Sequence, residues 1–168
     1  MATMKRDPTV WLDKINTHKS STEWNRKKAI ICDLDGTLAF PTDRSFYEEE
    51  KCKNDILNFP VANVLSMYKD TGYTIIFTSG RQEKGREATI NWLSTHLVNM
   101  FIGHKHKLYM RRDGDMRDDT VVKKEIYDSY IKDNYHVEAV FDDRVKVVRM
   151  WESLGLFVFN CNQGNVEF

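Results

Sequence analysis

The sequence has little cysteine and no pattern in what it has. Cys32, Cys52 and Cys161 are odd in number, widely spaced and include no C-x-x-C pair. That suggests neither a disulfide framework nor a zinc knuckle, and fits a reducing compartment such as the cytoplasm. Long apolar runs are also missing. None approaches the ~18 residues of a membrane span, and the N-terminus is too polar for a signal peptide, so no membrane association is expected. There is no net charge either, because 25 Lys plus Arg balance 25 Asp plus Glu. This argues against blanket adhesion to nucleic acid or anionic lipid, while permitting a local basic patch balanced by acid elsewhere. Nor is there any compositional sign of disorder: 41% hydrophobic and 30% charged residues are ordinary for a soluble domain, and 168 residues suffice to build a core.

The chain divides into a polar extension, residues 1–28, and a periodic body, residues 29–168. The extension carries Trp11, Leu12, Ile15 and Trp24, which would form one amphipathic turn docked on the body. From residue 29 the pattern changes. Ala29-Ile30-Ile31-Cys32 is a continuous apolar run ending in Asp33, the mark of a buried parallel strand. A helix is expected after Phe59, with Pro60 in its first turn and Gly72 as its stop. Tyr73–Thr78 reads as a strand, Glu83–Leu97 as a helix and Leu108–Met110 as a weaker strand. Val122, Ile126 and Tyr130 then recur at helical spacing. Val137–Phe141 is a strand, Lys146–Leu154 a helix closed by Gly155, and Leu156–Asn160 a last strand. Repeated strand–helix units predict an α/β fold: a doubly wound, Rossmann-like, mostly parallel sheet with helices on both faces. Ligands of such folds bind beyond the carboxyl ends of the strands.

Three strands end in reactive groups: Asp33 after the first, Ser79 and Arg81 after the second, and Asp142-Asp143 after Val140-Phe141. Carboxylates and serines often cap the helix that follows a strand, so each cluster alone has a bland explanation. Asp33-Leu34-Asp35-Gly36-Thr37 is sharper. Alternate residues of an extended segment point the same way, so Asp33 and Asp35 converge, Gly36 permits a tight turn and Thr37 hydrogen-bonds locally. Converging carboxylates call for a hard cation or a shared proton, and Asp142 and Asp143 are the remaining oxygen donors.

These residues resemble the haloacid dehalogenase superfamily. Asp33-Leu34-Asp35-Gly36-Thr37 matches its first motif, Ser79 its second, Lys123 its third and Asp142-Asp143 its fourth, in the family's order over residues 29 to 160. The resemblance implies a phosphatase in which Asp33 attacks phosphorus, while Asp35 protonates the leaving oxygen and then activates water. Ser79 and Lys123 would hold the phosphoryl group. Mg2+ would be bound by the Asp33 carboxylate, the Asp35 backbone carbonyl, Asp142 and Asp143. A lysine near the start of its helix opposes the helix dipole, so Lys123 should have an anionic neighbour.

A closer resemblance is to the 3′-phosphatase half of the tailed-phage polynucleotide kinase/phosphatases. It is carried by Asp33 to Ala39, Arg44, Lys51-Cys52, Ser79-Gly80-Arg81, Gly114-Asp115, Arg117 to Ile126, and Asp142-Asp143-Arg144 with Val147-Val148 and Met150-Trp151. It implies that Thr37, Arg44, Gly80, Arg81 and Asp119 serve substrate, the arginines by forked hydrogen bonds to phosphate. The substrates would be DNA or RNA 3′-phosphate ends, in the host cytoplasm for a phage protein. The sequence has no G-x-x-x-x-G-K-[ST] loop, so a 5′-kinase or a ligase would be a separate partner. Oligomeric state stays open. The short stretches between motifs predict a minimal cap and an open site, with the basic segment Gly103 to Arg112 along its entrance and Tyr47 or Tyr109 available to stack a base. The acids after it, Asp113, Asp115, Asp118 and Asp119, are alternative partners for those bases. A small-nucleotide phosphatase is the nearest competing enzyme, and a phospho-receiver or an inactive end-binding module are the competitors from other classes.

Overall fold

The computed structural model describes residues 26–45, 47–98 and 107–162. Residues 1–25 of the extension, with Trp11, Leu12, Ile15 and Trp24, lie outside these residues, as do Gly103, His104, Lys105 and His106 of the basic segment. A five-stranded parallel sheet forms the body, in the order β5-β4-β1-β6-β7. Its strands are β1 (Lys27–Cys32), β4 (Thr74–Gln82), β5 (Lys107–Arg111), β6 (Tyr135–Asp142) and β7 (Val158–Asn160). β1 starts two residues before the apolar run and lies at the centre, which is why that run is apolar on both faces.

Side-chain alternation along β1 feeds two cores. Ile30 and Cys32 pack with Leu65, Trp92 and Leu93 under α1 (Phe59–Asp70) and α2 (Arg86–His96). Ala29 and Ile31 pack with Val122, Ile126, Val147 and Trp151 under α3 (Asp119–Ile126) and α4 (Val145–Ser153). The β6 register skips Glu138 between Val137 and Ala139. That bulge exposes Glu138 and keeps both Val137 and Val140 on the second core.

Several boundaries differ from the sequence expectation. The Tyr73–Thr78 strand runs on to Gln82, and α2 begins at Arg86 only after a 3-10 turn, Glu83–Gly85. Asp118 caps α3 by accepting the Thr120 N–H at 2.9 Å, and the helix continues as a π turn over Tyr127–Ile131. An unexpected antiparallel pair, β2 (Ala39–Phe40) with β3 (Ile56–Leu57), spans the insertion after the first motif. Two-residue strands are too short for any period to show. With the 3-10 turn Glu49–Asn54, this pair forms a small cap beside the strand ends. Among the described residues no helix is long and apolar enough to cross a membrane.

Candidate active site

β1 and β6 end side by side, tied by the Asp33 N–H donating to the Phe141 carbonyl at 2.9 Å. Their carboxyl ends therefore bring Asp33, Asp142 and Asp143 together, with one carboxylate oxygen of each within 4.8 Å of the others. Lys123 enters from α3, buried, and donates to Asp33 Oδ1 at 2.7 Å and Asp142 Oδ2 at 2.8 Å. The anionic neighbour expected for Lys123 is thus a pair of carboxylates, and the lysine sits on the second turn of α3 rather than at its start. The indole N–H of Trp151 fixes Asp142 Oδ2 from α4 at 3.2 Å.

Thr37 bonds locally through its backbone N–H, which donates to the Leu34 carbonyl at 3.2 Å, but not through its side chain. Its hydroxyl crosses to the fourth motif and donates to Asp143 Oδ1 at 2.9 Å. Gly36 makes that crossing possible: its φ is +90°, and a Cβ there would collide with the Asp143 carboxylate.

Burial pushes the Asp33 carboxyl well above the usual carboxylate range; Lys123 pulls it down, and Asp142 and Asp143 push it up. Burial and Asp142 likewise raise Asp143. For Lys123 burial favours the neutral amine, but Asp142 and Asp33 overcome it and raise its pKa. One ammonium against three carboxylates leaves buried negative charge uncompensated. A donor set made only of hard oxygens, in negative excess, fits a hard divalent cation.

The convergence of four carboxylates expected from the sequence narrows to three. The Asp35 carboxylate lies outside the cluster because two arginines hold it. Arg81 donates to both of its oxygens, Nε to Oδ2 at 2.8 Å and Nη2 to Oδ1 at 2.7 Å, and Arg44 Nη2 reaches Oδ1 at 2.6 Å. Although burial acts to raise the Asp35 carboxyl, hydrogen bonds and charge from Arg81 and Arg44 outweigh it and hold the pKa below its ordinary value. Behind both guanidiniums stands Asp55, which sequence reasoning missed. It accepts from Arg44 Nε at 2.8 Å, Arg44 Nη2 at 2.5 Å and Arg81 Nη2 at 2.9 Å. Asp55, Arg44 and Arg81 have fully buried side chains, whereas Asp35 keeps 15% exposure. The same two arginines thus join a buried carboxylate to one that opens on the site.

The second motif sits on an irregularity. Between Ser79 and Gln82 the pairing of β4 with β5 shifts, and the Arg81 N–H folds back to the Ser79 hydroxyl at 3.2 Å. Gly80 lies against Asp119, where an added Cβ would be 2.7 Å from Oδ1. Asp119 in turn is held by Arg111 and by Arg144 Nη1, the latter at 2.5 Å. Arg111 also donates to the Gly80, Asp115 and Arg117 carbonyls at 2.9, 3.0 and 2.6 Å. Of the expected entrance bases, Arg111 is therefore a brace between the second and third motifs. Its acid partner is one of those that follow it in sequence, and Asp115 pairs instead with Arg117.

A parallel sheet with β1 at its centre, bearing an aspartate, a lysine and an acid pair at its carboxyl edge, defines a phosphatase of the haloacid dehalogenase fold. Comparison with known proteins narrows this. Residues 27–166 match the family of the polynucleotide kinase PNKP phosphatase domain. A protein of Autographa californica nuclear polyhedrosis virus, named as a bifunctional polynucleotide kinase/RNA ligase, is 38% identical over 144 residues, which are 84% of this chain and 20% of that protein. A chain in the structure of a Pnkp1/Rnl/Hen1 RNA repair complex superposes with a TM-score of 0.79 at 38% identity, covering 89% of this chain and 46% of that one. The class C acid phosphatase of Bacillus anthracis shares the fold alone, with a TM-score of 0.57 at 14% identity over 95% of this chain and 75% of that one. This chain spans about a fifth of the viral relative and about half of the repair-complex chain. It belongs to the polynucleotide kinase PNKP phosphatase domain family, and its enzyme class is that of phosphoric monoester hydrolases.

Proposed function

We propose that the protein is a magnesium-dependent polynucleotide 3′-phosphatase that acts through an aspartyl-phosphate on Asp33, on RNA ends in repair. The observation that carries this reading is the junction of Asp33, Lys123, Asp142 and Asp143 at one strand edge, within a family of polynucleotide phosphatase domains. RNA is favoured over DNA because the relatives are named for RNA ligation and RNA repair.

Asp33 Oδ attacks phosphorus as the bond to the 3′-oxygen breaks; water then attacks the same phosphorus, freeing phosphate and restoring Asp33. Lys123 and Ser79 hold the transferring group, and Lys123 opposes the burial that pushes the Asp33 carboxyl up. Asp33, Asp142, Asp143 and the Asp35 carbonyl would hold Mg2+, which neutralises charge on the phosphoryl oxygens. Asp35 gives a proton to the departing 3′-oxygen and takes one from water. Arg44 and Arg81 hold Asp35 ionised at rest. A phosphate that draws one guanidinium away from Asp35 lets the carboxylate take a proton from solvent, and that proton is the one it gives to the departing oxygen. Gly80, which leaves room for the Asp119 carboxylate, would let its backbone approach the phosphate, and Thr37 and Asp119 would steady the loops around it. Tyr47, 81% exposed and three residues past Arg44, would meet the terminal nucleoside. Kinase and ligase functions, which the viral relative's name carries, would act beside this domain.

The test is turnover of a 3′-phosphorylated RNA oligonucleotide against the same strand phosphorylated at its 5′ end and against free mononucleotides. The 3′ end should be strongly preferred. Faster release from 5′ ends or mononucleotides would make the protein a small-nucleotide phosphatase.

A further inference from the structure

β5 is the outer strand beyond β4, and its register sets Met110 beside Ser79 and Tyr109 beside Thr78. A groove of about 350 Å3 lies along it, lined by Tyr109, Met110, Arg112, Ile126 and Tyr130 among others. Its head meets the candidate phosphate site through Arg111. That guanidinium grips the Gly80 carbonyl and Asp119 on one side, and on the other the carbonyls of Asp115 and Arg117, which line the groove.

The groove carries an aromatic platform. Where α3 ends, the π turn over Tyr127–Ile131 re-aims the side chains that follow, a device that collects at functional sites. It lays the Tyr130 ring nearly parallel to Tyr109, 5.0 Å between centroids and 13° between planes. Tyr109 packs against the core beneath α3 and α4, whereas Tyr130 is 46% exposed. The pair therefore presents an open ring on a fixed backing. Arg86 and Arg117 are paired with Glu83 and Asp115, but Arg112 is exposed and has no ion pair among the described residues.

We propose that the single-stranded polynucleotide behind the terminal phosphate runs along this groove, one base stacking on Tyr130 and one backbone phosphate meeting Arg112. The proposal rests on the polynucleotide-end reading above. Stacking accepts any base, and a groove whose other charges sum to one excess acid, Glu125 sharing Arg117 with Asp115, selects an unpaired strand held by stacking over a duplex held by phosphate attraction alone. A protein strand added to the outer edge of β5, unpaired among the described residues, is the rival occupant. Arg86 disfavours it, because both of its terminal nitrogens already cover the Leu108 carbonyl at 3.3 Å.

The experiment measures kcat/KM on single-stranded 3′-phosphorylated oligonucleotides of increasing length, on a nucleoside 3′-monophosphate and on nitrophenyl phosphate. The enzymes are wild type, Tyr130→Ala, Tyr130→Phe and Arg112→Glu. In the wild type kcat/KM should climb over the first few nucleotides and then level off. Tyr130→Ala should flatten the climb, losing roughly 5- to 100-fold on long strands as expected for one stacked base, with the two small substrates unchanged. Tyr130→Phe should restore it, and Arg112→Glu should lower it through KM. Unaltered length dependence in Tyr130→Ala, or equal losses on strands and nitrophenyl phosphate, would overturn the groove while leaving the 3′-phosphatase reading standing. Failure of the wild type on every 3′-phosphorylated strand would remove both.

Discussion

Asp55→Asn isolates what the buried carboxylate does for the two arginines. Asp55 accepts three hydrogen bonds of 2.5–2.9 Å from guanidiniums whose side chains are wholly buried. An asparagine of the same shape offers one oxygen and turns an NH2 toward other N–H donors. At least one bond is lost, and two cations are left to share Asp35. Removing one partner of a buried charge cluster costs about 3–5 kcal/mol. In a domain of this size each kcal/mol lowers Tm by about 2–4 °C, so the variant should melt about 6–20 °C below wild type. Asp35→Asn removes a carboxylate from the same arginines, but at the open end, with Asp55 still in place. Its cost should stay within about 1–3 kcal/mol. Thermal unfolding followed by circular dichroism, in metal-free and phosphate-free buffer at neutral pH, reads both. A drop of under about 3 °C in Asp55→Asn, or a larger loss in Asp35→Asn, would refute the division into a supporting and a chemical carboxylate.

Kinetically the order should reverse: Asp35→Asn loses about 10²–10⁴-fold on an oligonucleotide and less on nitrophenyl phosphate, whose leaving group needs no proton. Equal losses on the two would count against proton transfer by Asp35. The same residue sets an acid limb on stability. Its folded pKa lies below its ordinary value, so its pairing contributes fully above about pH 4 and is lost as pH falls through the lowered value. Melts between about pH 5 and 3 should fall more steeply for wild type than for Asp35→Asn, and parallel curves would sink that attribution. Magnesium should raise Tm, by about 2.7 kcal/mol of stabilisation at a hundredfold excess over its Kd, because it relieves the buried excess of carboxylate. Asp143→Asn should blunt the shift, and full activity in excess chelator would contradict the metal site.

The parallel sheet is legible because β1 is buried on both faces and so cannot alternate. Asp33, Ser79 and Asp142 follow from it, since a parallel sheet puts every strand's carboxyl end at one edge. Lys123, Arg44 and Asp119 enter by family resemblance. What periodicity cannot carry is pairing at a distance. Asp55 follows Lys51-Cys52-Lys53-Asn54 with nothing to distinguish it, and its partners are 11 and 26 residues away. Thr37 and Asp143 are 106 apart. The basic look of Arg111 disappears once its four acceptors are traced, because composition counts a charge without saying which acid neutralises it. The β2–β3 pair and the π turn are too short to leave a pattern, yet one frames the cap and the other places Tyr130.

The central claim is that Asp33 takes the phosphoryl group itself. Mixing the enzyme and magnesium with an oligonucleotide radiolabelled in its 3′-phosphate, quenching in acid within milliseconds and mapping the label on the protein tests it directly. Label should appear transiently on the peptide containing Asp33, decay as free phosphate forms, and be absent with Asp33→Asn, which should not turn over. Phosphate released with no label ever on the protein, or sustained turnover by Asp33→Asn, would contradict the account.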